Sequence, residues 1–430
     1  MPSATPLPPG PLHLALFGAE DLIRPDGCPV CRYVSEANDR FLGWFALESH
    51  ADADMITRMC RSLGFCPRHT RGMLGQPGAA GRMTALYTYL LRTAAQFLAG
   101  GMSPSGPCLP CARDAEASDR ALETLLAGLG EADIRDRYRD SHGLCLPHLR
   151  AAAPRAGRKL AAWLAHDMLS RLSAGSPPPA VIAGERDPDA DVRARLRASL
   201  PAAAHARLAE NVCVACHAEC LRERDAVARC AASDRAVSEP SPSLCPTHLH
   251  DASTDSVGTR LLGLESERAE AWLVGLTSAA SLGSAFRRRT ARHSWMRGGE
   301  GQGECLACPH VDMGQGLQAR HAASVAGHHP VLCLRHVLAL RRRDPGGAIP
   351  FVRTAAVSTE SVLADLGRAF QMQGWAHRDE PLGREIAPWQ RAVALVDGRV
   401  YGGGPPRPLS QFSDPQAWQT YRLSGQQPEA

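Results

Sequence analysis

"SLGFCPRHTRGML" (residues 62–74) sets Cys66 and His69 three apart, directly after a glycine and a phenylalanine. One Cys-x-x-His settles nothing, because buried cysteines and half-buried histidines are ordinary core residues. Recurrence decides. The chain carries four Cys-x-x-Cys pairs, Cys28/Cys31, Cys108/Cys111, Cys213/Cys216 and Cys305/Cys308. Each is followed by a Cys-x-x-His pair, in turn Cys66/His69, Cys145/His148, Cys245/His248 and Cys333/His336, in strict alternation. The stretches between a Cys-x-x-Cys and the next Cys-x-x-His are 34, 33, 28 and 24 residues long. Twelve of the fifteen cysteines fall into this order, leaving Cys60, Cys220 and Cys230.

The spacing suits a metal. Two ligands separated by two residues can point into one tight turn, and a second pair brought up by a folded segment completes a tetrahedron. Three thiolates and one imidazole fill every position around Zn²⁺, leaving none for water or substrate, which marks a structural site. The pattern therefore predicts up to four Zn²⁺ ions, each Cys-x-x-Cys closing with the Cys-x-x-His after it. Competing chemistries fit less well. Disulfides need an oxidising compartment, and "MPSATPLPPGPLHLALFGAE" (1–20) has no basic start of the kind a secretory signal carries. A thioredoxin-like Cys-x-x-Cys belongs in a βαβ pattern, which the chain does not show. Cys213-Val-Ala-Cys216-His217 matches a c-type haem string, but Arg32, Ala112 and Pro309 occupy that position in the other pairs. Iron–sulfur ligation by three Cys and one His remains the chemical alternative.

At 430 residues the chain is long enough for several domains, with 44% hydrophobic but 5% aromatic residues, so its core must be Leu, Ala and Val. A net charge of +4, with arginine supplying nearly all the basic residues, gives no argument for nucleic acid. No run of 18 apolar residues exists; residues 83–99 come nearest and are broken by Arg92. Composition thus points to a bacterial cytoplasmic protein with no membrane segment.

The modules repeat below the ligand level. "DMITRMCRSLGFCPRH" (54–69) aligns without a gap on "DIRDRYRDSHGLCLPH" (133–148). Asp54 and Asp133 stand where an N-cap would, and Gly64 and Gly143 where a left-handed residue ends a helix. After each Cys-x-x-His comes a longer amphipathic pattern: Leu86/Leu90/Ala94/Phe97/Leu98, then Leu160/Trp163/Leu164/Met168/Leu172, Trp272/Leu273/Leu276 and Val362/Leu363/Leu366/Phe370. Faces of this kind suit packing between stacked modules. "SAGSPPPAVIAGERDPDAD" (173–191) breaks the chain between the second and third modules. The reading is an all-α protein of tandem zinc-stapled modules: an N-terminal half (11–175), a linker (176–204), a C-terminal half (205–401) and a disordered tail (402–430). On that reading a fragment ending near Gly175 folds alone.

Cys28-Pro-Val-Cys31, Gly64-Phe65-Cys66-Pro-Arg-His69 and "HRDEPLGREIAPWQRAVALVDG" (377–398) together resemble an uncharacterised bacterial family, a domain of unknown function with a Cys-Pro-x-Cys, a Gly-Phe-Cys-x-x-His and a C-terminal His-Arg-x-Glu-Pro-x-Gly run ending in Trp-x-Arg-Ala. The resemblance covers about half the chain and supports the architecture without implying an activity. From the residues, the C-terminal run reads as a turn, then a short helix from Pro388 with Trp389 inward, in a capping role.

No G-x-S-x-G, P-loop, dinucleotide fingerprint or H-E-x-x-H is found, and adjacent Asp379 and Glu380 do not aim two carboxylates at one bond. Cys60 reads as a core residue, and Cys220, four after Cys216, as the best substitute ligand. The leading function is a non-enzymatic zinc scaffold or adaptor for protein partners. Its main rival is a thiol-based redox or zinc sensor, separated from it by thiolate access: a sensor has one open site. Nucleic-acid binding is a third, weaker reading, resting on "FRRRTARHSWMR" (286–297) and Arg341-Arg342-Arg343.

Overall fold

The computed structural model describes, with short gaps, residues 18–184, 213–219, 256–281, 332–372 and 388–398. Among these residues there are helices, turns and bends and no strand. In chain order the helices are α1 (Pro29–Leu47), α2 (Ala53–Ser62), α3 (Pro67–Leu74), α4 (Ala79–Gly100), α5 (Leu109–Gly128), α6 (Ala132–Arg139), α7 (Leu146–Ala152), α8 (Arg158–Ser173), α9 (Ser256–Ser281), α10 (Leu334–Arg343), α11 (Ile349–Met372) and α12 (Pro388–Val396). None of them is long and apolar enough to cross a membrane. The basic cluster 286–297, the ends of the chain, the run 377–387, Cys220 and Cys230 lie outside the described residues.

The aligned segments fold alike, with one correction. The N-cap of α2 is Asp52, whose carboxylate accepts from the Met55 N–H at 2.9 Å, and Glu131 caps α6 without a side-chain bond. Asp54 and Asp133 sit two residues past the cap, in the first turn, where a carboxylate favours the positive end of the helix dipole. The glycine reading holds. Leu63 (φ 54°) and Gly64 (φ 88°) are both left-handed, and their N–H groups return to the carbonyls of Cys60 and Met59. Gly143 (φ 73°) is left-handed too, but it stands beyond the end of α6, which closes at a right-handed Asp140, and its N–H goes to Ser141 Oγ rather than to a helix carbonyl. The shared serines also have a reason: Ser62 donates to the Gly64 carbonyl at 3.0 Å, while Ser141 accepts from the Gly143 N–H at 3.1 Å.

An arginine closes each of these turns. Arg335 donates to the carbonyls of Leu63 (3.0 Å) and Phe65 (3.1 Å) and pairs with Asp397 (3.0 Å). Arg171 donates to the carbonyls of Ser141 (2.7 Å) and His142 (2.9 Å) and pairs with Asp167 (2.7 Å). A Cβ on Gly143 would lie 2.9 Å from that guanidinium, so the turn must be glycine for space as well as for φ. Arg341, first of the basic run, donates to the Phe97 and Leu98 carbonyls at the end of α4, which is structural capping.

The chain forms two compact units, each gathered from separated stretches. The first comprises Met1–Asn38, Arg113–Asp187 and Ala226–Pro309; the second Asp39–Ala112, Pro188–Asp225 and His310–Ala430. They are not the successive halves 11–175 and 205–401. The apolar stripes explain the difference. In the first unit Leu164, Met168 and Leu172 of α8 share a core with Ala269 and Leu273 of α9. In the second, Leu86, Leu90 and Ala94 of α4 share one with Val362 and Leu366 of α11 and Ala392, Val393 and Val396 of α12. The stripes read from sequence are core faces, except at Phe370, which is exposed near the end of α11, and each pairs with a helix from the other half of the chain. Helix α12 does begin at Pro388 with Trp389 against this core.

This reverses the sequence expectation for fragment 1–175. It lacks α9 to α12, so both long stripes lose their partners, and about 1.5–3 kcal/mol is forfeited for each large side chain left exposed. The fragment should aggregate or melt without cooperativity, read by size-exclusion chromatography and thermal circular dichroism; a monomeric, sharply melting 1–175 would overturn the assignment of the core.

Candidate metal centres

The ligand pairs begin helices rather than sitting in free turns. The carbonyls of Cys28, Cys66, Cys108, Cys145 and Cys333 accept from the N–H groups of Arg32, Thr70, Ala112, Leu149 and Val337, at 2.8 to 3.2 Å. In these five pairs the first cysteine is therefore the N-cap, and the second ligand is the third helical residue. Those two positions normally carry the side chains that satisfy a helix's free N–H groups. Neither Cys145 nor Cys333 makes a side-chain capping bond. The sulfurs converge instead on a partner pair, in the positive field of two helix N-termini, which favours thiolate.

Three shells of four ligand atoms form: Cys28/Cys31/Cys145/His148, Cys66/His69/Cys108/Cys111 and Cys213/Cys216/Cys333/His336. The first lies in the first unit and the other two in the second. All twelve are residues the sequence marked, but the pairing differs from the expected one. Cys28/Cys31 closes with Cys145/His148, so that Cys31 meets Cys145 across 114 residues. Cys108/Cys111 closes backward on Cys66/His69, and Cys213/Cys216 forward on Cys333/His336. The arrangement is nested, an inner shell within an outer one, rather than tandem. Cys245, His248, Cys305 and Cys308 lie outside the described residues. Cys60 belongs to no shell; it packs on the core of the second unit, and burial raises its thiol pKa.

The distances fit one four-coordinate ion. An ideal tetrahedron with sulfur at ~2.3 Å and nitrogen at ~2.0 Å sets sulfurs ~3.8 Å apart and sulfur to nitrogen ~3.5 Å. Cys31–Cys145, Cys66–Cys111 and Cys216–Cys333 are each 3.7 Å between Sγ atoms. His69, His148 and His336 all present Nδ1, at 3.0 to 3.6 Å from the sulfurs. A disulfide would need ~2.05 Å, and none of the described cysteines is in one. Ligand atoms within 4.8 Å of one another also leave no room for a cluster whose thiolates bond different irons.

Electrostatics points the same way. In the second shell, hydrogen bonding by Cys108 and Cys111 holds the Cys66 thiol far below its usual range, while the same contacts push Cys111 far above. In the third, burial resists ionisation of Cys333, yet Cys213, Cys216 and the His336 charge together hold it well below, and burial drives Cys216 well above. One thiolate forms easily beside the imidazole; a second and third negative charge at this spacing do not. A divalent cation removes that conflict, and loading it releases protons.

The third shell is buried at all four ligands, and the first at Cys28 and Cys145, with Cys31 and His148 half-buried. Cys28, Cys145, Cys213, Cys216 and Cys333 are buried, and a glycine lies against each shell. A Cβ on Gly184 would stand 3.3 Å from Cys31 Sγ, and one on Gly398 3.0 Å from Cys216 Sγ. The third shell has a further residue that the ligand spacing did not disclose. Glu219, fully buried, places Oε1 2.9 Å from His336 Nε2, which fixes the ring so that Nδ1 faces the sulfurs. Its position three after Cys216, one helical turn on, was the available signal. No family model, curated protein or solved structure matches the chain.

The nested pairing predicts how losses combine. Cys31→Ser with His148→Ala should cost one bound metal, as either change does alone; Cys31→Ser with His69→Ala should cost two, by elemental analysis. Tandem closure gives the opposite result. Glu219→Ala should weaken the third site about 10–100-fold in chelator competition and leave the others intact.

Proposed function

We propose that this is a non-enzymatic, zinc-binding helical scaffold or adaptor of the cytoplasm, with four structural Cys₃His sites and protein partners. The observation that carries the reading is the four-ligand shell: three sites with tetrahedral spacing, each filled by protein ligands, two of them joining two helix N-termini. Zinc is the metal that a tetrahedral thiolate–imidazole site of this kind selects. The fourth ion belongs to the proposal on ligand order alone. Nesting in the second half leaves Cys245 and His248 to meet Cys305 and Cys308 inside the Cys213/Cys216–Cys333/His336 closure. A reducing compartment fits ligands that must stay thiolate. The resemblance to an uncharacterised bacterial family is part of this proposal and supplies no substrate.

Metal binding of this kind is folding energy, on the order of 10–16 kcal/mol apparent for a structural zinc site. Protein purified without chelator should carry up to four zinc ions and show no visible absorbance. A strong chelator should collapse its helical signal cooperatively. Iron with visible absorbance, or full helicity after complete zinc removal, would refute the reading, and a pull-down from the native host tests for partners.

A further inference from the structure

The three shells share ligand type, spacing and helix geometry but differ in access. In the Cys66/His69/Cys108/Cys111 shell Cys111 is exposed and Cys66 and Cys108 are half-buried, whereas the third shell is buried at all four ligands. Among the described glycines, Gly184 and Gly398 lie against the first and third shells, and none approaches the sulfurs of this one. Cys111 is the third residue of α5, on the first turn of a helix whose next residues, Ala112 and Arg113, are themselves not buried. Cys66 Sγ stands 3.7 Å from Cys111 Sγ, so a shift of ~1.7 Å would bring them to bonding distance.

We infer that Cys111 and Cys66 form a peroxide-reactive disulfide switch, with Cys111 as the point of attack and the metal of that shell released on oxidation. The inference rests on the zinc reading of the same site and adds its regulation. Metal loading releases the Cys111 proton, and the resulting thiolate attacks a hydroperoxide, breaking the O–O bond; it becomes a sulfenic acid and the peroxide leaves as an alkoxide, or hydroxide for hydrogen peroxide itself. The Cys66 thiolate then attacks the sulfenyl sulfur, forms the S–S bond and expels hydroxide. Two electrons pass from the thiolate pair to the peroxide, and two solvent protons complete an alcohol (or water) and one water. With two of four ligands gone, the shell no longer holds Zn²⁺. The third shell has the same pair distance with every ligand buried, and in the first shell half-buried Cys31 is paired with buried Cys145, so neither pair presents an exposed thiol to the oxidant.

The test uses the full chain, with zinc content fixed beforehand. Hydrogen peroxide is added in steps below one equivalent, released zinc is followed with a chromogenic chelator, and remaining thiols are alkylated and mapped by mass spectrometry. The expected result is loss of about one zinc equivalent in step with a Cys66–Cys111 disulfide, reversed by dithiothreitol and zinc, while Cys28, Cys145, Cys213, Cys216 and Cys333 stay reduced. Cys60→Ser should leave this course unchanged. Zinc lost from several sites in parallel, or a first disulfide at Cys31–Cys145 or Cys216–Cys333, would overturn the inference. Protein that arrives without zinc overturns the structural-zinc reading instead, and the order of disulfide formation still decides this one.

Discussion

The structure depends on cysteines and histidines gathered so closely at helix starts that one shared cation fits among each four. Five of the ligand pairs occupy the N-cap and third positions of a helix, where a soluble helix ordinarily spends a serine, aspartate or glutamate on its free N–H groups. Here the side chains at those positions turn toward a second helix start. The joint is short and strong, and it fixes the approach of two helices at one end. Elsewhere leucines, alanines and a few methionines complete the contact. A chain with 5% aromatic residues has little bulk with which to orient helices by packing alone, and the coordinated ends supply what it lacks.

Nesting has mechanical consequences. An inner closure between 66–69 and 108–111 draws the starts of α3 and α5 together with α4 between them, whereas the outer closure spans most of the first 150 residues. Because α4 then meets α11 and α12, and α8 meets α9, neither half of the chain completes a core from its own helices. Arg335 shows how closely the parts of the second unit depend on one another. It lies between the ligands Cys333 and His336, yet its guanidinium closes the glycine turn that presents Cys66. Arg171 serves the matching turn of the first unit from α8, a different element, so the solution recurs though its source does not.

Differences among the shells matter as much as their likeness. Glu219 locks one histidine in a fully buried setting, and Gly184 and Gly398 allow backbone to lie against sulfur where any Cβ would intrude. Such features make a site inert by excluding water, oxidant and competing ligands. The Cys66/Cys111 shell has a buried histidine but an exposed thiol, so its chemistry is open to solvent while its geometry is the same.

From the sequence alone the twelve Cys and His residues that gather in the described shells, the helical class, the left-handed glycines Gly64 and Gly143 and most of the core stripes were legible, since each follows from local chemistry: thiol and imidazole spacing, positive φ, and a period of 3.6 residues. The caps were misplaced by two residues because Asp52 and Asp54 are equally good carboxylates, and only the path of the chain selects between them. Pairing was beyond the sequence for a deeper reason. A Cys-x-x-Cys and a Cys-x-x-His each offer two ligands from one helix start, so any such pair completes any other, and loops of 24 to 34 residues can close either way. Tertiary packing made the choice. The faces of α4 and α8 found their partners in α11, α12 and α9, far along the chain, and the ligand pairs met where those helices brought them.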